Sequence, residues 1–126
     1  MNVVNAIVVK DSKILLIKRS QGLHAEKWAF PGGNIEPGET ILEALKRELK
    51  EETNLNLKKL IRKIAEYNYK RDNENILGSS WLVEAPGSLK INSESKEANW
   101  FSLEELEDLD TAPGISQEAL KALYEK

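Results

Sequence analysis

Three glutamates stand close together in one stretch of the 126-residue chain that has the pattern of a helix. Glu48, Glu51 and Glu52 occupy positions i, i+3 and i+4, so a helix would project all three carboxylates from one side. Carboxylate oxygens are the ligands that hard divalent cations such as Mg²⁺ and Mn²⁺ prefer in proteins. A solvated helix face in a chain rich in Lys and Glu would show the same spacing, so the spacing alone leaves both interpretations open.

The segment before these glutamates favours a ligand site. Residues 31–40 have the sequence PGGNIEPGET, in which glycines allow the backbone to bend tightly and to approach a ligand closely. Gly33 and Gly38 also have the spacing of a P-loop, but Glu39 stands where that motif places its phosphate-binding lysine. This charge reversal excludes a P-loop.

The overall charge of the chain indicates how a polyanionic ligand would have to be held. The chain carries 18 Lys and Arg against 21 Asp and Glu, a formal net charge of −3. A non-specific nucleic-acid binder needs a basic surface, so no stable nucleic-acid complex is expected. Phosphates would instead need a few local cationic side chains or a bound metal. Because the chain has no cysteine, thiolate metal sites, disulfides and thiol nucleophiles are excluded.

Neither a membrane span nor a signal peptide is predicted. No apolar run approaches the roughly 20 residues that cross a bilayer, and residues 1–5 lack a basic segment followed by an apolar one. We expect a cytoplasmic protein without membrane association, built as one domain over residues 1–126.

The elements that must position the glutamates begin with a hairpin and a loop. Apolar runs at 6–9 and 14–17 flank a polar turn and predict two buried strands, and 21–38 is predicted to be a long loop. The helix is predicted over 40–53, with a capping box from Thr40 to Glu43 and Asn54 at its carboxyl end. Its apolar stripe consists of Leu42, Leu45 and Leu49.

The rest of the chain is predicted to form strands first and helices after them. Residues 57–71 and 76–84 have strand patterns joined by a polar turn, and 98–101 predict one more short strand. A second capping box starts at Ser102, and 117–124 predict an amphipathic helix. Together these elements predict an α+β fold with a mixed β-sheet flanked by helices.

Residues 33–55 resemble the Nudix box, the pattern G-x5-E-x7-R-E-U-x-E-E-x-G-U in which U is a bulky aliphatic residue. Eight of the nine fixed positions match in GNIEPGETILEALKRELKEETNL. Asn54 is the exception, standing where the family has glycine; asparagine also tolerates left-handed backbone geometry, so only a small stability cost is expected. Weaker similarity runs from the first hairpin through Trp28-x-Phe30-Pro31-Gly32-Gly33 to Glu97-x-x-Trp100-Phe101.

The resemblance implies a Nudix α/β/α sandwich and a pyrophosphohydrolase that uses Mg²⁺, for which Mn²⁺ could substitute. By position, Glu48, Glu51, Glu52 and the carbonyl of Gly32 would hold the metal. Glu39 and Arg47 match the remaining charged positions, where ion pairing would orient the helix acids.

The attacking water needs a general base, and the resemblance leaves its identity open. Glu51 and Glu52 rank first as candidates. Some family members place a carboxylate in a downstream loop, which makes Glu94 and Glu97 alternatives and adds Glu97 to the candidate metal ligands.

The substrate contacts are predicted from chain position. Arg19 resembles a phosphate-contacting arginine of MutT-like members, although a solvated charge at a strand end would look the same; Gly33 lies in the box. Trp28 and Phe30 are candidates to stack on a base, yet an aromatic residue beside a loop is more often part of the core. The same ambiguity holds for Tyr67, Tyr69 and Trp81, while His24, the only histidine, is interpreted as a solvated loop residue.

The implied substrate is a nucleotide. Hydrolysis of a (d)NTP, including oxidised or damaged ones, to NMP and pyrophosphate ranks first, and ADP-ribose or a nucleotide sugar second. ADP-ribose enzymes often carry a proline about sixteen residues after the box, where this chain has Lys70. A non-catalytic nucleotide-binding module and a purely structural domain are the alternatives from other classes. Many relatives form homodimers, which leaves that assembly open here.

Overall fold

A computed structural model describes residues 2–20, 25–90 and 95–124. The strands are β1 (Asn2–Lys10), β2 (Lys13–Arg19), β3 (Trp28–Ala29), β4 (Gly32–Asn34), β5 (Lys59–Arg71), β6 (Glu74–Glu84) and β7 (Ser95–Phe101). The helices are α1 (Ile41–Thr53), α2 (Leu103–Leu106) and α3 (Ile115–Tyr124). None of the helices in these residues is long and apolar enough to span a bilayer.

The strands form one mixed sheet. Its main order is β3-β2-β1-β6-β5, with β4 added to β1 and β7 added to β2. β1 and β6 run parallel, whereas the other neighbours are antiparallel. The two predicted hairpins are present, and the central residues of both turns, Asp11-Ser12 and Asp72-Asn73, have the positive φ angles of type I′ geometry.

The sheet is sandwiched between helices because its strands alternate apolar residues toward both faces. On one face Val4 and Ala6 of β1 pack in a core cluster with Leu45 of α1. On the other face Ile7 of β1 belongs to a cluster with Ala119 of α3. Burying an apolar row on each face requires a covering layer on each side, and this confirms the predicted α/β/α arrangement.

Helix α1 begins and ends as predicted. The capping box is complete, since Thr40 Oγ1 accepts from the Glu43 amide at 3.1 Å and Glu43 Oε1 accepts from the Thr40 amide at 2.9 Å. Asn54 closes the helix in the left-handed region at φ 67°. The predicted apolar stripe needs one correction, because Leu42 in the first turn is 36% exposed while Ala44 is buried.

The long loop predicted over 21–38 contains the short strands β3 and β4. Strand β4 pairs with β1 through Asn5 opposite Gly32 and Val4 opposite Gly33. A Cβ atom on Gly32 would lie 2.1 Å from the carbonyl oxygen of Val4, so only glycine allows this approach. The sequence pattern missed β4 because its order comes from pairing with β1 and not from local strand propensity.

The cap at Asn54 can be tested by two substitutions. Asn54→Ala should lower the free energy of unfolding by about 1–2 kcal/mol relative to Asn54→Gly, because alanine is strained in the left-handed region. Asn54→Gly should stay within about 1 kcal/mol of the wild type, since it relieves strain but loses the hydrogen bond from Asn54 Nδ2 to the Ser88 carbonyl. Urea denaturation followed by circular dichroism measures the free energy of unfolding of both variants. Equal stabilities of the two would contradict a left-handed cap at Asn54.

Candidate active site

Arg47 on α1 fixes the loop before the helix to the helix itself. Its Nε and Nη2 donate to the two carboxylate oxygens of Glu39 at 2.8 and 2.9 Å, and Nη2 also donates to the Asn34 carbonyl at 2.9 Å. The hydrogen bonds that Glu39 accepts from Arg47, together with one from the Glu36 amide, lower the pKa of Glu39 to about 2. The same pairing raises the pKa of Arg47. The ion pair expected between Glu39 and Arg47 is therefore present.

The remaining Arg47 nitrogen orients Glu48. Nη1 donates to Glu48 Oε1 at 2.8 Å, and a Cβ atom on Gly33 would lie only 2.6 Å from that oxygen. Glycine at position 33 therefore lets the carboxylate lie directly against the loop backbone. Burial raises the pKa of Glu48, and the hydrogen bond from Arg47 opposes that rise. Glu51 stands at the rim, with its side chain 52% exposed and Oε2 3.6 Å from Arg47 Nη1.

Glu52 is the buried acid of the site, with only 3% of its surface exposed. The Gly32 amide donates to its Oε1 at 2.8 Å, and Arg19 Nη1 donates to its Oε2 at 3.1 Å. Burial raises the pKa of Glu52 to about 7, even though Arg19 and the Gly32 amide both favour the charged form. Loss of hydration outweighs these two partners.

Arg19 bridges the acid and the loop. Besides Glu52, its Nη2 donates to the carbonyl oxygens of Gly32 at 3.2 Å and of Phe30 at 3.3 Å. One guanidinium thus satisfies two of the groups, Glu52 and the Gly32 carbonyl, to which the sequence resemblance assigns a metal.

The donor set suits a hard divalent cation. Glu48, which is partly buried, and Glu52, which is buried, are carboxylates with raised pKa values beside a backbone carbonyl that is held in place by strand pairing. Within 2–20, 25–90 and 95–124, however, no three Asp, Glu or His side chains are already spaced to hold one ion. The arginines satisfy these oxygens in this structure. Glu48, Glu52 and the Gly32 carbonyl are the groups that would hold a metal, with Glu51 at the rim.

A cavity of about 720 Å³ opens beside these acids. Arg19, Gly32 and Gly33 line it at the acidic site, and Tyr67 and Tyr69 of β5 line it together with Glu118 of α3. The volume is within the range of small-molecule sites.

Of the two aromatic residues predicted to stack on a base, the structure places only one at the cavity. Phe30 lines the cavity while nearly buried, whereas Trp28 lies in the core and packs edge-on against Phe101 with ring centroids 4.9 Å apart. Trp28 is thus placed with the core and not with the cavity lining, because β3 pairs with β2 and directs this ring toward the α2–α3 layer. Trp81 is also outside the cavity lining, and its indole donates to Ser79 Oγ at 2.9 Å.

Of the two downstream acids, the structure describes only Glu97. Glu97 is exposed on β7, opposite Lys18 of β2, and lies outside the cavity lining. Glu94 and His24 lie outside the described residues.

Several cavity residues carried no recognised signal in the sequence. Asn5 donates to the Tyr67 hydroxyl at 2.7 Å across 62 positions of the chain, and Glu118 comes from the last helix. Gly78 in the middle of β6 was an available clue, because a glycine inside a strand often marks a close approach. A Cβ atom there would lie 2.2 Å from the Tyr67 ring.

Comparison with known proteins agrees with this geometry. The family model described as NUDIX domain matches residues 1–123. An ADP-ribose pyrophosphatase from Methanocaldococcus jannaschii is 38% identical over 109 residues, which are 84% of this chain and 64% of that protein. This chain therefore spans somewhat less than two thirds of that relative.

A second relative and a solved structure match over more of their own length. Nucleoside triphosphatase NudI from Escherichia coli O1:K1 / APEC is 31% identical over 123 residues, with 86% of each chain covered. The solution structure of the E. coli ORF135 protein superposes with a TM-score of 0.82 at 32% identity, covering 98% of this chain and 92% of the other. With the box, the fold and nearly the full length in agreement, the chain belongs to the Nudix hydrolase family.

Proposed function

We propose that this protein hydrolyses a phosphoanhydride bond of a nucleoside diphosphate derivative, most readily a (d)NTP, with Mg²⁺ as its metal and Mn²⁺ able to replace it. The observation that carries the proposal is the cavity that extends from Arg19 and Gly32, the two partners of Glu52, to the tyrosine pair on β5. It provides room for a nucleoside beside groups suited to a metal and to phosphates.

The reaction adds water across a P–O–P bridge. The water oxygen bonds to one phosphorus, the bridging oxygen leaves with the other phosphate, and a base takes the proton. A bound divalent cation supplies Lewis-acid stabilisation of the charge that develops on phosphate oxygens. Glu51 and Glu52 are the candidates for the base, and Glu52 has a pKa of about 7, which is suited to proton transfer near neutral pH.

Arg19 and Arg47 have different roles in this proposal. Arg47 is directed at Glu39 and Glu48 and positions the helix acids. Arg19 lines the cavity and brings positive charge to the boundary between the acids and the ligand space. Phosphates of a substrate would lie at this boundary, so Arg19 is the expected phosphate contact.

ADP-ribose is the second candidate substrate, because the similar protein from M. jannaschii is named an ADP-ribose pyrophosphatase. Lys70 stands near the end of β5 where ADP-ribose enzymes often carry proline, and it pairs with Asn75 across the hairpin. Two considerations favour a triphosphate substrate. One is that Lys70 stands in place of the proline. The other is that the match to the nucleoside triphosphatase covers 86% of both chains.

The substrate class can be settled by product analysis. The purified protein with Mg²⁺ is incubated with (d)NTPs, 8-oxo-dGTP, ADP-ribose, diadenosine polyphosphates and nucleotide sugars, and the products are separated by chromatography with EDTA as the control. NMP and pyrophosphate would support the first candidate, and AMP with ribose 5-phosphate the second. No product with either Mg²⁺ or Mn²⁺ would contradict the proposal and favour a binding module.

Replacing the buried acid tests the metal and base assignment. Glu52→Gln should lower kcat by about 100-fold or more, because a neutral amide stabilises a cation poorly and cannot accept the proton. Glu107→Gln, at an exposed position after α2, is the matched control and should retain wild-type turnover. Near-wild-type turnover in Glu52→Gln, with circular dichroism unchanged, would exclude Glu52 from the chemistry.

Metal binding should also depend on pH. The pKa of Glu52 is about 7 in the folded chain against an ordinary value of 4.5, so the metal-free folded state binds more protons than the unfolded state between these values. Its stability therefore falls as pH rises through this window. A cation that needs the carboxylate counteracts this loss, and Mg²⁺ should raise Tm more at pH 8 than at pH 6.

Thermal unfolding with Mg²⁺ or with EDTA at the two pH values measures this effect. Glu52→Gln should show a smaller Mg²⁺-induced rise, with less difference between the two pH values. An equal rise at both pH values in the wild type would contradict the role given to this carboxylate.

A further inference from the structure

Strand β5 lies at one edge of the sheet. Within the described residues it pairs with β6 alone, from Lys59 to Arg71. Because successive residues of an antiparallel strand bond toward alternate sides, every second residue of β5 directs its amide and carbonyl away from the sheet. A long edge of this kind is a template for another strand unless the protein interrupts it.

The two halves of the β5 edge differ in regularity. The register with β6 shifts between Leu60 and Arg62 and again between Lys63 and Ala65, so two irregularities of the β-bulge kind interrupt the first half. Bulges bend an edge away from a straight partner strand. From Ala65 to Arg71 the pairing with β6 runs without a shift. The second half, residues 65–71, is therefore a regular edge that is long enough to pair as a strand.

The hairpin determines which residues of 65–71 direct their backbone outward. Arg71 and Glu74 close a two-residue turn, and in such a hairpin the closing residues bond to each other. Hydrogen-bonded pairs then recur at every second residue back from Arg71. The residues between them present their amides and carbonyls to the edge, and their side chains are exposed. These residues are Glu66, Asn68 and Lys70.

The segment 65–71 is complementary to itself when two copies run antiparallel about Asn68. Asn68 then faces its own counterpart, and Glu66 of each copy faces Lys70 of the other, so outward-directed backbone groups meet each other. Both outer pairs also join opposite charges. Tyr67 of each copy faces Tyr69 of the other. Cross-strand pairs of opposite charge and of aromatic rings both stabilise antiparallel strands.

Neighbouring registers fit less well. A two-fold axis at Tyr67 would place Lys63 opposite Arg71, two like charges, and would extend the pairing into the bulged half of the strand. An axis at Tyr69 would leave only residues 67–71 to pair, without any pair of opposite charges. An axis between two residues would set an outward-directed backbone group against an inward-directed one.

We propose that residues 65–71 of β5 pair antiparallel with the same segment of a second copy of this chain, so that two sheets join across a two-fold axis at Asn68. The inference goes beyond the proposed function and does not depend on it, because it rests on strand geometry and charge. Such a contact is closed, since each copy uses the same segment of the other. The stacked Tyr67 and Tyr69 rings of the two copies would form one row beside the two cavities that they line.

The expected dimer dissociates on dilution. A contact between two seven-residue segments is small compared with stable protein interfaces, which bury about 1,200 Å² or more. Sedimentation velocity of the full chain from about 5 to 500 µM should therefore show a mass that rises from one chain towards two. A monomer mass at every concentration would overturn the inference.

One introduced thiol reports on the axis directly, because the chain has no cysteine. In Asn68→Cys the two thiols would meet across the axis, where the α-carbons of a hydrogen-bonded pair are about 5.5 Å apart and within disulfide reach. Mild oxidation, or a short bis-maleimide, should convert most of this variant to a covalent dimer. Glu107→Cys, at an exposed position after α2, is the matched control and should stay monomeric. Equal cross-linking of the two variants, or none in Asn68→Cys, would contradict the proposed axis.

Exchanging the charges tests the register. Glu66→Lys or Lys70→Glu alone would set like charges opposite each other, so each should weaken dimerisation tenfold or more in sedimentation. The double variant restores opposite charges in reversed order and should return to within about threefold of the wild type. Glu66 also pairs with Lys63 of its own chain at 2.7 Å, but loss of that pair would not be rescued by a change at Lys70. Single variants that dimerise like the wild type, or a double variant that does not recover, would overturn this register.

Discussion

The burial of one carboxylate, that of Glu52, determines how the site is built. Helix α1 packs on the sheet through Leu45 and Leu49, and the same face of the helix carries Glu52 inward. A carboxylate in this place must be given hydrogen-bond donors, and the chain supplies the Gly32 amide and the Arg19 guanidinium. The pairing of β4 with β1 and the close approach at Gly32 are therefore conditions for placing an acid there.

Two acids of the box, Glu39 and Glu52, differ in their pKa values. Glu39 has a pKa of about 2 because Arg47 donates two hydrogen bonds to it, whereas Glu52 has a pKa of about 7 because burial outweighs its partners. The first is a permanent anion that fixes Arg47 and, through it, Glu48. The second is held near the point where it changes protonation at neutral pH. One ion-paired acid thus maintains the structure while a buried acid stays available for chemistry.

The sequence pattern predicted those features that depend on residues close together in the chain. Periodicity and caps defined helix α1 from Thr40 to Asn54, and the box spacing identified the acids that come together on it. Position across the sheet was not visible, because register is set by pairing between distant strands. The pairing of β7 with β2, which places Glu97 opposite Lys18, is a register of this kind. Glu118 and Ser80 meet across 38 positions, a contact that no local pattern encodes.

The two ends of the cavity differ in where along the chain their residues come from, and this difference has a chemical consequence. The end at the acids is built by β4 and α1, contiguous elements that contain the box and share the Gly32–Glu52 contact. The opposite end is built by β1, β5 and α3, which supply Asn5, Tyr67 and Glu118. The two ends meet at Arg19 and Gly32, which line the cavity and also contact Glu52. The box therefore fixes the acids but not the residues at the opposite end of the cavity, which is why the box alone does not specify a substrate.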